Sequence, residues 1–492
     1  MNLLFLLIES KNGYPASNIL TSYKVFLSTE SSKMKGIRMK SSIYRTRTSK
    51  NKQILMMLAI TISLFHVFGY AQQTKQITFD KKKTIIDVCN KIETIYPDRK
   101  LGKAISDSIQ TNLSKYNNIN HPVNFADILK NDIIKYSHDV HFNLEYDPDL
   151  AKRMKEDWDN ICTSSDKSWT EKQVKKHRPS NYGFKELKIL DGNLGYLKLD
   201  VFFSPKYAGN IAEASMNFFS NCDGLIIDLR NNIGGWDEMG MLLLSYFVND
   251  DEQKTMDIVH STFDNIYHTS VLYCYTSGHK HPDIPIYLLV SKKSASAAEG
   301  FAYRMKFFNR ATIIGEKTAG AETPVEPIPI NDFILQIPCY ETIYTIKGPG
   351  WQGIGVQPDI EIDAENALQN AHKEFISMKY HNTQDTIQKF KYSWLLEAIE
   401  SKLNPTPEED KNYKKFLGTY GKRKIFMKND LLYYQNADGP EFELVQMTKE
   451  LFQFKITKTI RVKFLIEKKS VKGLNIHYDD GYITKTNWRD LY

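Results

Sequence analysis

The chain has 492 residues, of which 41% are hydrophobic and 25% charged. These ordinary globular proportions exclude a collagen, a disordered tail and a disulfide miniprotein. The formal charge is +7, but residues 1–71 hold ten of the Lys and Arg residues and only two acidic ones, leaving the rest close to neutral. A nucleic-acid binder would carry its basic excess on the folded body, so that class is excluded as well.

Residues 54–68 form an apolar run with Lys40, Arg45, Arg47, Lys50 and Lys52 before it and Gly69-Tyr70-Ala71 after it. Basic, apolar and small-residue segments in that order define a secretory signal, and the run is short for a membrane span. Export to a periplasm or beyond is expected, with Gln72 as the mature start and only transient membrane contact through the signal. Signals begin near the initiator, so Met39 is the natural start and residues 1–38 suggest a misassigned one. No Cys follows Ala71, which argues against a lipid anchor.

Residues 75–137 read as a helical subdomain. Ile85, Ile86, Val88, Ile92 and Ile95 fall near helical spacing, and Pro97 ends that helix. Lys103–Tyr116 and Phe125–Tyr136 supply further helices. Residues 150–183 are polar and read as a helical excursion or a mobile surface. From about 185 the pattern becomes α/β. Strands are expected at 194–202, 224–229, 286–290 and 311–315, alternating with helices at 208–219, 239–247 and from the 290s to Met305. A β-hairpin excursion spans 323–346, and Glu365–Met378 closes a core assigned to 138–385. Residues 386–410 are helix and linker, with Pro405–Asp410 as the linker proper. Residues 411–492 show short strands and Asx-rich turns, the texture of a small all-β module.

The five cysteines, Cys89, Cys162, Cys222, Cys274 and Cys339, have no metal spacing and read as small buried residues. No phosphate-binding or dinucleotide fingerprint is present. Neither a cofactor nor a metal is expected.

Three segments of the core carry potential chemistry. In 228-DLRNNIGG-235 a buried strand runs into a turn ending in Gly234 and Gly235, which let backbone N–H groups approach a developing charge. In 290-VSKKSASAAE-299 a strand turns sharply into a helix, with Ser296 at the helix N-terminus, where a nucleophile gains from free donors and the helix dipole. The same placement suits a plain N-cap. His138-Asp139-Val140-His141 offers a base.

In that order, D-x-H, GLIIDLRNNxGG, S-A-A-E and G-V-x-P-D resemble the tail-specific, or carboxy-terminal-processing, serine peptidases. The likeness is greatest to the branch of the tricorn core and the interphotoreceptor retinoid-binding protein, and it covers about residues 80–375. It implies a core similar to the crotonase and Clp protease fold, built of β-β-α units. It also implies a peptide or protein substrate. Ser296 falls on the nucleophile and His141 on the base. The backbone N–H groups of Gly234 or Gly235 and of Ala297 fall on the oxyanion hole.

Two positions depart from the family. The lysine of the Ser-Lys branch falls on Ala321, with Lys317 and Lys293 as solvated neighbours. The glutamate that assists the histidine falls on Gln352, which can accept a hydrogen bond but brings no charge. A slowed peptidase, one using Asp139 instead, and a catalytically lapsed binding protein on the same fold all follow from that substitution. No PDZ domain is expected between His141 and the strand at Gly195. The sequence leaves the oligomeric state open.

Overall fold

The computed structural model describes residues 78–160, 166–248, 254–273, 275–345, 350–408 and 411–490. The expected signal, Cys162, Cys274 and Asp410 lie outside the described residues.

Three helices lead: α1 (Lys81–Ile95), α2 (Arg99–Thr111) and α3 (Pro122–Ser137). Asp80 and Asp98 cap the first two by accepting from the N–H of Lys83 and Leu101. The apolar stripe of α1, Ile85, Val88, Ile92 and Ile95, is buried. It packs with Ile105, Ile109, Phe125, Leu129 and Ile133 from the other two helices. These helices do not complete their own core. Strands β1 (Asn143–Tyr146), β9 (Val325–Ile330) and β10 (Phe333–Pro338) form an antiparallel sheet in the order β1-β10-β9. Leu144, Ile328, Phe333, Leu335 and Ile337 from it close the same hydrophobic cluster.

Two helices follow β1, α4 (Pro148–Asn160) and α5 (Asp166–His177), so the polar stretch is helical as expected. Leu150, Ala151 and Met154 of α4 bury themselves against Ile334.

The central sheet has six strands in the order β12-β8-β7-β4-β3-β2. These are β2 (Phe184–Leu190), β3 (Leu194–Leu199), β4 (Gly224–Asp228), β7 (Ile286–Val290), β8 (Thr312–Gly315) and β12 (Ile360–Glu361). All its pairings are parallel except the β2–β3 hairpin. β4 and β7 are buried along their whole length, as strands covered on both faces must be. Alternation sends Leu225, Ile227, Leu288 and Val290 toward α6 (Pro205–Phe218), α7 (Asp237–Phe247) and α8 (Ala297–Phe307). Ile226, Tyr287, Leu289 and Ile314 face the other way, onto α9 (Ala364–Asn382) and Ile399 of α10 (Thr386–Leu403). The result is a sheet between two helical layers.

The 323–346 segment differs from expectation. β9 and β10 do form a hairpin, turning at Asn331 with φ +50°. β11 (Tyr340–Thr345) then leaves it and pairs with β5 (Lys254–Ser261), which pairs with β6 (Tyr267–Leu272).

Residues 418–488 form an eight-stranded antiparallel meander, β13 through β20 in sequence order. Its interior is aromatic and aliphatic: Phe416, Tyr420, Phe452, Phe464, Leu474 and others. The chain end returns to the first strand, since Asp490 N–H donates to Thr419 O at 2.9 Å. Arg489 also donates to the carbonyls of Lys415 and Leu417. The sheet thereby curls almost into a barrel. Cys89, Cys222 and Cys339 are buried free thiols, and among the described residues no helix is long and apolar enough to cross a membrane.

Candidate active site

Two loops leave the carboxyl ends of adjacent parallel strands, the place where open α/β sheets hold their ligands. The loop after β4 is anchored first. Buried Asp228 accepts from Tyr196 Oη at 2.7 Å, from Arg230 Nε at 2.9 Å and from Arg230 Nη2 at 2.6 Å. Burial pushes the Asp228 carboxyl up, but the bonds and charge of Arg230 outweigh it and leave it below its ordinary value. Arg230 Nη1 also donates to Ala364 O, so the DLR triplet ties the strand end to α9.

Asn232 then shapes the turn. It is fully buried, donates Nδ2 to Leu199 O at 2.9 Å and accepts from Gly234 N–H at 2.8 Å. Gly234 has φ +94°, and a Cβ there would stand 2.6 Å from Ser296 Cβ and 2.7 Å from Ala295 O. Gly235 has φ +126°, and a Cβ would meet Phe202 O at 2.1 Å. Only glycine fits at either position, because Gly234 lies directly against Ser296 and Gly235 against the Phe202 backbone.

The loop after β7 is stitched to that turn. Ser291 Oγ donates to Arg230 O, Ser294 Oγ to Leu229 O, and Ala295 N–H to Asn232 O. Ser296 follows as the N-cap of α8 with φ 55° and ψ −125°. A non-glycine residue in that region stores on the order of 1–3 kcal/mol and persists only where its surroundings impose it. Here the surroundings are explicit. Glu299, fully buried, accepts from Ser296 N–H at 2.9 Å, Gly320 N–H at 2.7 Å, Ala321 N–H at 2.8 Å and Thr318 Oγ1 at 2.5 Å. The Thr318 hydroxyl accepts from Val356 N–H, which leaves its proton for Glu299. Burial raises the Glu299 carboxyl above its ordinary value, against the pull of these four donors.

The expected oxyanion donors are therefore not equivalent. Gly234 N–H is taken by Asn232, which corrects the expectation that either glycine could serve. Gly235 is flanked by the two bonds of a parallel bridge, Phe202 N–H to Gly234 O and Trp236 N–H to Phe202 O. Its own N–H is consequently turned away from Phe202. Ala297 is the first residue of α8, whose N–H has no intrahelical acceptor. Among the described residues neither Gly235 N–H nor Ala297 N–H has an acceptor.

His141 arrives from the N-terminal core, in the short link between α3 and β1. His138, at φ 56°, caps α3 in the left-handed conformation and lets the chain turn. Asp139 Oδ1 then accepts both from His141 N–H at 3.0 Å and from His141 Nδ1 at 2.9 Å. A carboxylate can only accept, so the proton sits on Nδ1 and Nε2 carries the lone pair. Tyr96 Oη donates to Asp139 Oδ2 at 3.3 Å. The Asp139 and His141 side chains are 5% and 9% exposed, respectively, which separates them from a surface polar pair. Burial pushes the Asp139 carboxyl up, yet its bonds to His141 and the charge there hold it below its ordinary value. His141 Nε2 is buried and has no hydrogen-bond partner. It is thus not bonded to Ser296 Oγ in this geometry.

Gln352 does not take the orienting position. Its Oε1 accepts from Glu322 N–H at 2.7 Å and Thr323 N–H at 3.2 Å. In return Glu322 Oε2 accepts from the N–H groups of Trp351 and Gln352. This reciprocal clamp fastens two loops, and Asp139 holds the place beside the imidazole that was expected for Gln352. Lys293 and Lys317 are exposed, while Ala321 is buried and donates its N–H to Glu299. Asn232, Ser294, Glu299 and Thr318 escaped the sequence reading. Only Glu299 left a signal, the Ser-x-x-Glu spacing of a capping box.

Residues 193–362, which hold Ser296 and both glycines, match the family model of Peptidase family S41. The α/β core is similar to peptidase family S41. The chain is 28% identical over 179 residues to the carboxy-terminal-processing protease of Bartonella bacilliformis, a match covering 35% of this chain and 40% of that one. It is 27% identical over 179 residues to the carboxy-terminal processing protease CtpB of Bacillus subtilis, covering 36% and 35%. The match therefore spans well under half the length of these curated relatives. Among solved structures, the photosystem II D1 C-terminal processing protease superposes with a TM-score of 0.35 at 15% identity, over 58% of this chain and 94% of that one.

Proposed function

We propose that this chain is a serine peptidase working through Ser296, His141 and Asp139. The observation that carries the reading is the buried Asp139–His141 pair at 2.9 Å, whose Nε2 has no hydrogen-bond partner. The Asp139 carboxylate supplies beside the imidazole the charge that Gln352 lacks, which favours an active site over a lapsed one. His141 Nε2 takes the Ser296 Oγ proton as the oxygen attacks the scissile carbonyl. Asp139 fixes the tautomer and stabilises the imidazolium that forms. Gly235 and Ala297 N–H groups receive the oxyanion, and the imidazolium then protonates the leaving amine. Water attacks the acyl-enzyme by the same route. Substrate binding must bring Nε2 within reach of Oγ, because catalytic bonds are commonly loose until the Michaelis complex forms. Export supports a substrate outside the cytoplasm, and it rests on residues 54–71 alone.

A fluorophosphonate probe tests the chemistry directly. Ser296 should be the labelled residue, and Ser296→Ala should remove both labelling and peptide hydrolysis, a loss on the order of 10³-fold or more. Labelling at another serine, or hydrolysis that survives Ser296→Ala, overturns the reading. N-terminal sequencing of exported protein should give Gln72.

A further inference from the structure

The outer face of the C-terminal meander holds a cavity of about 360 Å³ between its strands and α10, far in sequence from the serine. That volume lies in the range of small-ligand sites. Its wall follows from strand alternation. On β18 (Ile460–Glu467), Val462 and Phe464 point into the meander core, so Arg461 and Lys463 point outward. Arg461 stands opposite His477 of β19 (Ser470–Tyr478), and Lys463 opposite Leu451 of β17 (Leu451–Phe454). Trp394 and Glu397 of α10 form the facing wall, and Thr448, Lys449 and Glu450 the rim.

Arg461 is the centre of this arrangement. It is fully buried, its guanidinium lies 3.6 Å from the centroid of the Trp394 ring, and it donates Nη1 to Glu397 Oε2 at 2.5 Å and Nη2 to Trp394 O at 2.7 Å. Its Nε nevertheless has no partner, and neither has His477 Nε2. A buried guanidinium donor without an acceptor is costly, and a fold keeps such a group where something else accepts from it. Arg461, Lys449 and Lys463 outnumber Glu397 and Glu450, and one oxygen of Glu397 is already committed. Trp394 and Leu451 add apolar surface beside the charged groups.

We propose that this cavity binds a small ligand through a carboxylate or phosphate group, with the anion on Arg461 and Lys463 and the ligand body against Trp394 and Leu451. The unpartnered Nε–H of Arg461 can donate to either oxyanion, and Lys449 and Lys463 add charge without fixing geometry.

Calorimetric titration of the full chain tests this with three probes: inorganic phosphate, N-acetylalanine and N-acetylalanine amide. At least one anion should bind saturably, and the neutral amide should not. Preference for phosphate or for N-acetylalanine identifies the source of the oxyanion. Lys449→Gln with Lys463→Gln changes two exposed side chains and should weaken binding about tenfold, the equivalent of roughly 1.4 kcal/mol. Arg461→Lys should abolish binding while circular dichroism reports folding. If that variant unfolds, the lysine pair still decides. No saturable anion binding, equal binding of the amide, or affinity unchanged by the lysine pair overturns the proposal. None of these readouts depends on peptidase activity.

Discussion

The serine and the histidine of this site are held in different ways. Ser296 sits in a lattice of backbone bonds: Asn232, Ser294 and Glu299 each clasp main-chain groups from two loops. His141 is held by side chains, through Asp139 and, behind it, Tyr96. The first arrangement can store backbone strain, because many donors and acceptors enforce one path. The second leaves the imidazole on a separate hydrophobic cluster, free of any bond to the serine. Ser296 and the N–H groups of Gly235 and Ala297 are thus fixed together, and His141 is fixed with Asp139. In the proposed mechanism, the distance between His141 Nε2 and Ser296 Oγ is what remains for substrate to set.

Breaking the histidine half should have the largest effect. Asp139→Asn preserves shape but offers an amide to Nδ1, so hydrolysis should fall on the order of 10⁴-fold, as in the serine-protease template. Activity against a peptide substrate measures it, and a loss under tenfold would mean that another group orients His141. The same variant carries a pH signature. The folded Asp139 carboxyl lies below its ordinary 3.8. Its stabilisation is therefore present above that value and is lost as pH falls through the lower folded one. Acid unfolding followed by circular dichroism should show a shallower limb in Asp139→Asn.

Breaking the serine half should register in stability as well as rate. Glu299→Gln keeps one acceptor oxygen and turns an amide donor toward N–H groups. A cost of about 2–3 kcal/mol follows from losing bonds to a buried charge. Thermal unfolding would report it, together with a rate loss at unchanged substrate binding. An unaltered melting temperature would show that the four donors do not need the carboxylate.

The smallest effect is expected at the loop clamp. Gln352→Glu should change hydrolysis by less than about threefold, since the residue bonds Glu322 and Thr323 rather than His141. A gain of tenfold or more would restore the glutamate position of the family pattern and displace Asp139 from its role.

How much of this was readable in sequence follows the distance over which each feature is decided. β4 and β7 are unbroken apolar runs, and the Gly-Gly turn and Ser296 lie at their ends, so a local pattern revealed them. β2 escaped because it is an edge strand whose Lys185, Glu186, Lys188 and Ile189 are half or fully exposed, which leaves no clean alternation. β1 is four residues long and makes sense only beside β10. The role of Glu299 was hidden, because three of its donors come from residues 318–321, which no local spacing connects to it. Gln352 was placed by its motif position. The geometry that removed it depends on Glu322 capturing two N–H groups from a loop some thirty residues on. Asp139 and His141 were visible as neighbours, but their burial was not, and burial is what turns a polar pair into a base with an oriented proton.

The shared cluster of the leading helices and the β9–β10 hairpin has a consequence for biogenesis. Asn331, at the hairpin tip, donates to Thr84 Oγ1, 247 residues earlier, and to Asp87 Oδ2 at 3.0 Å. A ribosome delivers α1 to α3 long before the hairpin that completes their core, and pairing at such separation is slow. Until residue 338 has emerged, β1 has no partner strand and the link bearing His141 has no fixed place. The order of synthesis thus leaves the link carrying His141 without its framework until the chain carrying Ser296 is already made, so under the proposed mechanism a nascent or truncated chain would be inactive.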